Sequence, residues 1–284
     1  MPISNDEIKA LENKSHELRN LCVDTVVWAG SGHIGGALSA MDIMTILYYK
    51  YMNVDHKNPQ WEDRDRFILS KGHVGVGFAP VLADKGYFSK EILREYNHTG
   101  SKLGVHLDSL KVPGVDASTG SLGHGMPIAL GTALAARLKK KSYTTYCLLG
   151  DGECNEGSIW EAAMAASHYK VTNMITIVDR NRCMIDGPTE DIMKLEPFVD
   201  KWRAFGFIVK EVNGHSFKEL SEAIEYALKE DEAPVVIIAN TIKGCGIDFM
   251  EDNYKWHYGG LDSVKVKQSR ESLQRYHEKR LKGE

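Results

Sequence analysis

From residue 126 onward the chain alternates between two patterns, and this alternation limits its fold more than any other feature. PIALGTALAARLKKK reads as an amphipathic helix, YTTYCLLG as a strand, SIWEAAMAASHYK as a helix and MITIVD as a strand. The pattern continues through EPFVDKWRAFG and FIVKEV, then SFKELSEAIEYALKE and PVVIIAN. Strands written as near-continuous runs of Val, Ile and Leu are covered on both faces. Interleaved with helices, they predict an α/β domain: a doubly wound, mainly parallel sheet with helices on both faces. Such sheets bind ligands beyond the carboxyl ends of their strands, so the loops after YTTYCLLG and MITIVD are where chemistry is expected.

The first half is less regular. Ile8, Leu11, Leu18, Leu21, Cys22 and Val26 form one helical stripe, with Asp6 as the expected N-cap and Gly30 past the end. SGHIGG at 31–36 reads as a glycine-rich turn, and LSAMDIMTILYYKYM as a second helix opened by a capping box of Ser39 and Asp42. FILS at 67–70 is a short strand, and 74–98 divides into two helical pieces. The stretch 99–125 is a long loop rich in Gly, Ser and His, a length that usually signals function or disorder. A closing helix is expected over 263–281. With no proline-rich linker or repeat, a single domain over 1–284 is the simplest expectation.

Composition excludes several classes. Thirty-five Lys+Arg against 39 Asp+Glu leave a net charge of −4, and no basic block argues for nucleic acid. The longest apolar stretch, PVVIIAN, falls far short of the ~20 residues that a membrane span needs. MPISNDEIKALENKS lacks the hydrophobic core of a signal peptide. Five cysteines, an odd number without CxxC spacing, argue against a disulfide scaffold or a structural zinc site. A cytoplasmic enzyme is expected.

Gly150-Asp151-Gly152 stands where one strand ends and a helix is about to begin. Glycines let backbone N–H groups approach phosphate at a helix N-terminus, but an aspartate there repels phosphate unless a cation lies between them. Mg²⁺ commonly takes one or two carboxylates together with phosphate oxygens. On its own the tripeptide is better explained as a simple turn. Thirty residues after Asp151, the next strand ends in Asp179-Arg180-Asn181-Arg182-Cys183. Consecutive strand ends of a βαβ unit lie close together, so Asn181 and a neighbouring carbonyl could complete an oxygen shell with Asp151.

GDG followed about 30 residues later by Asn resembles the signature of thiamine-diphosphate enzymes of the transketolase type. The resemblance extends along nearly the whole chain. SGHIGG is similar to the family's SGHPGG, RDRFILSKGH to RDRFVLSNGH, and STGSLGHG to TTGPLGQG. GVHLDS falls where the family has a PGHPE-like segment. GDGECNEG is similar to GDGxxxEG, VDRNRCMIDG to DNNxISIDG, and TIKGCG fits the K-T-x-x-G-x-G segment. The resemblance implies the diphosphate-binding domain of the thiamine-diphosphate fold. It implies that Asp151, Asn181 and the Cys183 carbonyl ligate Mg²⁺ (or Ca²⁺ or Mn²⁺), that His73 and the Gly152 backbone hold the diphosphate, and that Glu153 is among the cofactor-binding residues. Gly120, Ser121, Leu122 and Ile185 would meet the aminopyrimidine, and His33, His106 and His257 would line the substrate channel as catalytic residues. Glu156 resembles an acid at the contact between catalytic halves that relays hydrogen bonds to the cofactor.

Read from the residues alone, any one of these histidines is more often a surface or structural group. Four in Gly-flanked or loop settings (SGH, KGH, GVH, WHY) suit proton transfer at sugar hydroxyls. His124 reads as one step removed from the cofactor, and His16, His56, His98, His168, His215 and His277 as bland. The chain departs from the family pattern at Ile34 and Ser121, which replace prolines, at Arg180, which replaces an Asn, and around His257, where WHY replaces HG.

The resemblance also implies what must come from elsewhere. In this family a glutamate on a second, pyrimidine-binding domain activates the cofactor, and no segment of this chain resembles that domain. The expected partner is therefore a second, C-terminal-type subunit in a heterotetramer. The expected reaction is transfer of a two-carbon ketol unit from a ketose phosphate to an aldose phosphate. A pyruvate-decarboxylating synthase subunit shares most of the motifs, and a non-catalytic α/β regulatory subunit is the alternative from another class.

Overall fold

A computed structural model describes residues 3–283; positions 1, 2 and 284 of the expected 1–284 unit lie outside the described residues. Helix α1 (Asn5–Ala29) opens at Ser4. The Ser4 hydroxyl accepts the Glu7 N–H at 3.2 Å, and the Glu7 carboxylate accepts the Ser4 N–H at 2.9 Å. This capping box, and not Asp6, starts the helix; Asp6 lies in its first turn, where negative charge suits the dipole. Gly30 ends it at φ +75°, as expected.

Helix α2 (Ile34–Ile46) also departs from expectation: it starts within SGHIGG and runs on into a π-helical turn at Leu47–Tyr51. Ser39 and Asp42, expected to cap it, sit fully buried in its middle. Gly35 and Gly36, read as part of a turn, lie inside the helix where close neighbours leave no room for a side chain. A Cβ on Gly35 would lie 2.6 Å from the Trp256 carbonyl oxygen, and one on Gly36 would lie 3.0 Å from Val74.

Strand β1 (Arg66–Leu69) leads into α3 (Gly75–Asp84) and a 3-10 turn at Lys90–Glu95. The loop after it ends at α4 (Gly125–Leu138). Then follow β2 (Thr145–Gly150), α5 (Gly157–His168), β3 (Met174–Arg180), α6 (Thr189–Ile192) and α7 (Phe198–Ala204). Next come β4 (Ile208–Asn213), α8 (Phe217–Ala227), β5 (Val235–Asn240) and α9 (Ser263–Lys282).

The five strands form one parallel sheet in the order β1-β2-β3-β5-β4. Alternate residues face opposite sides. Phe67, Leu69, Tyr146, Leu148, Ile175 and Ile177 join the core built with α1, α2, α3 and α8. Ile68, Cys147, Leu149 and Val178 face the core under α4, α5 and α7. Every residue of β2 and β3 is buried, which is why both read as continuous apolar runs. Gly150 pairs with Asp179, so the two loops expected to carry chemistry leave the sheet side by side. Among the described residues no helix is long and apolar enough to cross a membrane.

Candidate functional site

Beyond the carboxyl ends of β2 and β3 lies a cavity of about 300 Å³. From the expected set it is lined by His33, His73, Gly120, Leu122, Asp151, Gly152, Glu153, Asn181, Cys183, Ile185 and His257. His106, Ser121 and Glu156 do not line it. His106 lies just outside the wall: a Cβ on Gly120 would meet its ring at 2.7 Å. Ser121 and Glu156 are exposed.

Three imidazoles cluster at one end. His33 is 5.1 Å from His73 and 5.2 Å from His257, ring centroid to centroid, and His73 is 5.3 Å from His257. Paired backbone hydrogen bonds between Gly32 and Gly259 hold the segments of His33 and His257 together. Burial, His106 and Lys243 bring the His33 pKa down to about 4. Burial and the nearby Lys243 lower His257 to about 3, and burial beside Lys71 holds His73 well below the usual range. All three shifts run downward, so the rings are uncharged at pH 7. His33 Nδ1 is buried with no hydrogen-bond partner among the described residues. An orphaned buried acceptor or donor is costly, so this atom points to a ligand.

Other residues of the lining carry charge. Asp151 Oδ1 accepts the Gly152 N–H at 2.7 Å; Oδ2 accepts the Arg182 N–H at 2.6 Å and Arg180 Nη1 at 3.2 Å. Burial and the neighbouring Asp179 raise its pKa, while Arg180 and the two N–H groups oppose that rise. Asn181 Oδ1 accepts the Cys183 N–H at 3.1 Å. Asp151 Oδ1 and Asn181 Oδ1 each accept one of these bonds and keep a lone pair for a cation. A carboxylate, an amide oxygen and the Cys183 carbonyl form the oxygen set that hard divalent cations take. Among the described residues no group of three or more His, Cys, Asp or Glu is placed to hold a metal, so this mixed oxygen set is what the cavity offers a cation.

Glu153, expected among the cofactor-binding residues, lines the cavity and also binds the backbone around it. Its carboxylate accepts Ser70 Oγ at 2.5 Å, the Gly123 N–H at 2.9 Å and the Gly150 N–H at 3.0 Å. One buried side chain thus ties together the three loops after β1, before α4 and after β2.

Two lysines join the site without having been expected there. Lys243 Nζ donates to the Met184 carbonyl at 3.1 Å and lies 3.1 Å from His257 Nδ1; burial lowers its pKa to about 8. Lys71 pairs with Asp179, which also accepts Ser39 Oγ at 2.6 Å. Both ammonium groups line the cavity beside its glycines. Their signal lies in SKGH and TIKGCG, glycine-flanked lysines inside matched motifs. His215, read as bland, is largely enclosed: Nδ1 bonds Asp42 at 2.8 Å, and Nε2 accepts the Ile242 N–H at 2.9 Å, next to Lys243.

Comparison with known proteins identifies the family. Residues 11–281 match the family described as transketolase, thiamine diphosphate binding domain. The chain is 41% identical over 253 residues to one subunit of the apulose-4-phosphate transketolase of Phocaeicola vulgatus, covering 89% of this chain and 90% of that one. It is 42% identical over 247 residues to the 6-deoxy-6-sulfo-D-fructose transketolase subunit SqwG of Clostridium sp., covering 87% and 90%. The transketolase structure from Campylobacter jejuni superposes with a TM-score of 0.88 at 33% identity, over 93% of this chain and 42% of that one. The chain belongs to the transketolase family, within its thiamine-diphosphate-binding domain.

Proposed function

We propose that this chain is the diphosphate-binding subunit of a two-subunit transketolase, which moves a two-carbon ketol unit from a ketose phosphate to an aldose phosphate. The observation that carries the reading is the cavity itself: two buried lysines, neutral imidazoles and an Asp–Asn pair face one space at the ends of β2 and β3. The residues fit thiamine diphosphate with a divalent cation. His33 Nδ1 lacks a partner among the described residues, Asp151 and Asn181 keep free lone pairs, and at Gly152 a Cβ would crowd Met184 at 3.1 Å.

When bound, thiamine diphosphate supplies the carbon nucleophile and electron sink for C–C cleavage. In our reading Asp151, Asn181 and the Cys183 carbonyl ligate Mg²⁺, with Ca²⁺ or Mn²⁺ as substitutes. Lys71, Lys243, His73 and the Gly152 N–H hold the diphosphate. Gly120, Ser121, Leu122 and Ile185 meet the aminopyrimidine. Neutral His33, with His106 at the rim, takes and returns protons at sugar hydroxyls, and His257, its Nδ1 facing Lys243, donates to them through Nε2–H. Glu153 positions the loops, and the exposed Glu156 faces the partner. That partner is a second, pyrimidine-binding subunit in a heterotetramer; the names of both relatives, each given as one subunit of a transketolase, support a divided enzyme. Five free cysteines suit the reducing cytoplasm. By their names the relatives act on apulose 4-phosphate and on 6-deoxy-6-sulfo-D-fructose, so the donor here need not be an ordinary pentose phosphate.

The test is to purify the chain with its native partner and assay the pair on a panel of ketose donors. Ketol transfer that requires both chains is expected. Transfer by this chain alone would refute the two-subunit reading, and CO₂ release from pyruvate would favour the decarboxylating synthase instead.

A further inference from the structure

Arg180 replaces a family Asn at the end of β3 and is almost completely buried, 3% of its side chain being exposed. Nη1 donates to Asp151 Oδ2 at 3.2 Å and to Thr189 Oγ1 at 2.8 Å. Nη2 donates to Glu190 at 3.1 Å and to Glu196 at 2.9 Å. One guanidinium therefore faces the buried carboxylate of the cavity on one side and two partly exposed carboxylates on the other.

We propose that Arg180 is a resident counter-ion of the cation site, sharing the Asp151 carboxylate with the divalent ion and setting how tightly that ion is held. The inference rests on the proposed role of Asp151 as a cation ligand. A fixed positive charge on one oxygen of a carboxylate repels a dication on the other, and burial leaves that repulsion poorly screened. Asp151 stays in place without Arg180's help, because the Gly152 and Arg182 N–H groups also hold it. The repulsion is offset by Glu190 and Glu196. Those two carboxylates thus act on the cation through Arg180, although neither lines the cavity.

Two sets of charge changes must then act in opposite directions. Mn²⁺ binding to the purified full chain with thiamine diphosphate is followed by the paramagnetic resonance of free Mn²⁺. Arg180→Gln should hold Mn²⁺ about tenfold tighter, and Arg180→Lys should stay near wild type. The double variant Glu190→Gln/Glu196→Gln should bind about threefold more weakly, since it leaves the guanidinium uncompensated. A role in packing alone moves neither variant in this pattern. Shifts of the same sign in the two sets, or no shift in either, overturn the proposal. If Arg180→Gln does not fold, the glutamate pair decides alone, because both side chains are partly exposed; unchanged affinity there overturns it. Wild-type chain that takes up no more Mn²⁺ than Asp151→Asn refutes the cation-site reading instead.

Discussion

Lys243 Nζ lies 3.1 Å from His257 Nδ1, so the ammonium donates to an imidazole nitrogen that must carry a lone pair. The contact fixes His257 as the Nε2–H tautomer and aims its proton away from the lysine. It also brings a charge with a pKa of about 8 into the cavity.

That charge gives a pH signature. In the proposed role diphosphate engages the ammonium form, so thiamine diphosphate affinity should fall as pH rises through about 8. It should be roughly tenfold weaker at pH 9 than at pH 7 by proton linkage. Stability of the empty chain moves the other way. The folded pKa lies below that of the unfolded lysine, so between about 8 and the ordinary lysine value the unfolded state binds more protons, and stability rises with pH. Lys243→Met should flatten both profiles. Calorimetric titration across this range checks the first trend and denaturant midpoints the second; a pH-independent wild type would contradict the assignment.

Glu153 predicts a structural loss. Glu153→Ala leaves the Gly123 and Gly150 N–H groups and the Ser70 hydroxyl without their buried acceptor. Each orphaned buried group costs about 1–3 kcal/mol, so the variant should lose about 3 kcal/mol or more. Urea unfolding measures it. A loss below about 1 kcal/mol would mean that water replaces the carboxylate and that the three loops are not tied through it.

Sequence patterns and fold agree best where burial wrote the pattern. β2 and β3 read correctly because every residue of each is buried, and Gly150 opposite Asp179 follows from parallel pairing alone. The start of α2 reads wrongly because Gly35 and Gly36 carry no local sign that they serve close packing against Trp256 and Val74, contacts far away in the chain. Asp42 resembles a cap for the same reason: its partners Arg19, His215 and Arg280 come from three other segments. Lys71 and Lys243 stay hidden in the sequence because a lysine beside glycine is ordinary. Only the fold buries them together.

Gly35 gives a prediction of its own. Its Cβ would lie 2.6 Å from the Trp256 carbonyl oxygen, and that backbone leads directly into His257. Gly35→Ala must push the 254–259 segment away from α2, a strain of about 1–3 kcal/mol. Thiamine diphosphate affinity should drop while the far-ultraviolet circular dichroism spectrum keeps its α/β shape. Unchanged affinity would show that the segment yields without moving His257.

Asp42 tests whether the buried network behind the cavity supports it. Its carboxylate accepts Arg19 at 2.8 and 3.0 Å, Arg280 at 2.9 Å, Ser15 at 2.5 Å and His215 at 2.8 Å. Burial opposes its charge, but Arg19 and Arg280 prevail and hold its pKa well below the usual carboxylate range. For an acid so lowered, the stabilisation is full above the unfolded value near pH 4 and is lost as pH falls toward the folded one. Asp42→Asn should therefore cost about 3–5 kcal/mol at neutral pH, because the buried Arg19 loses its counter-charge and Arg280 keeps only Glu12. The variant should also lose less stability than wild type on acidification below about pH 4. His215 carries the effect onward: it joins Asp42 to the Ile242 N–H, one residue before Lys243. Weaker thiamine diphosphate binding should accompany the loss under conditions where the variant is still fully folded. Denaturant curves at several pH values, with cofactor titration at the neutral one, decide between a network that only stabilises and one that also sets Lys243. Normal affinity in the folded variant would leave it the first role alone.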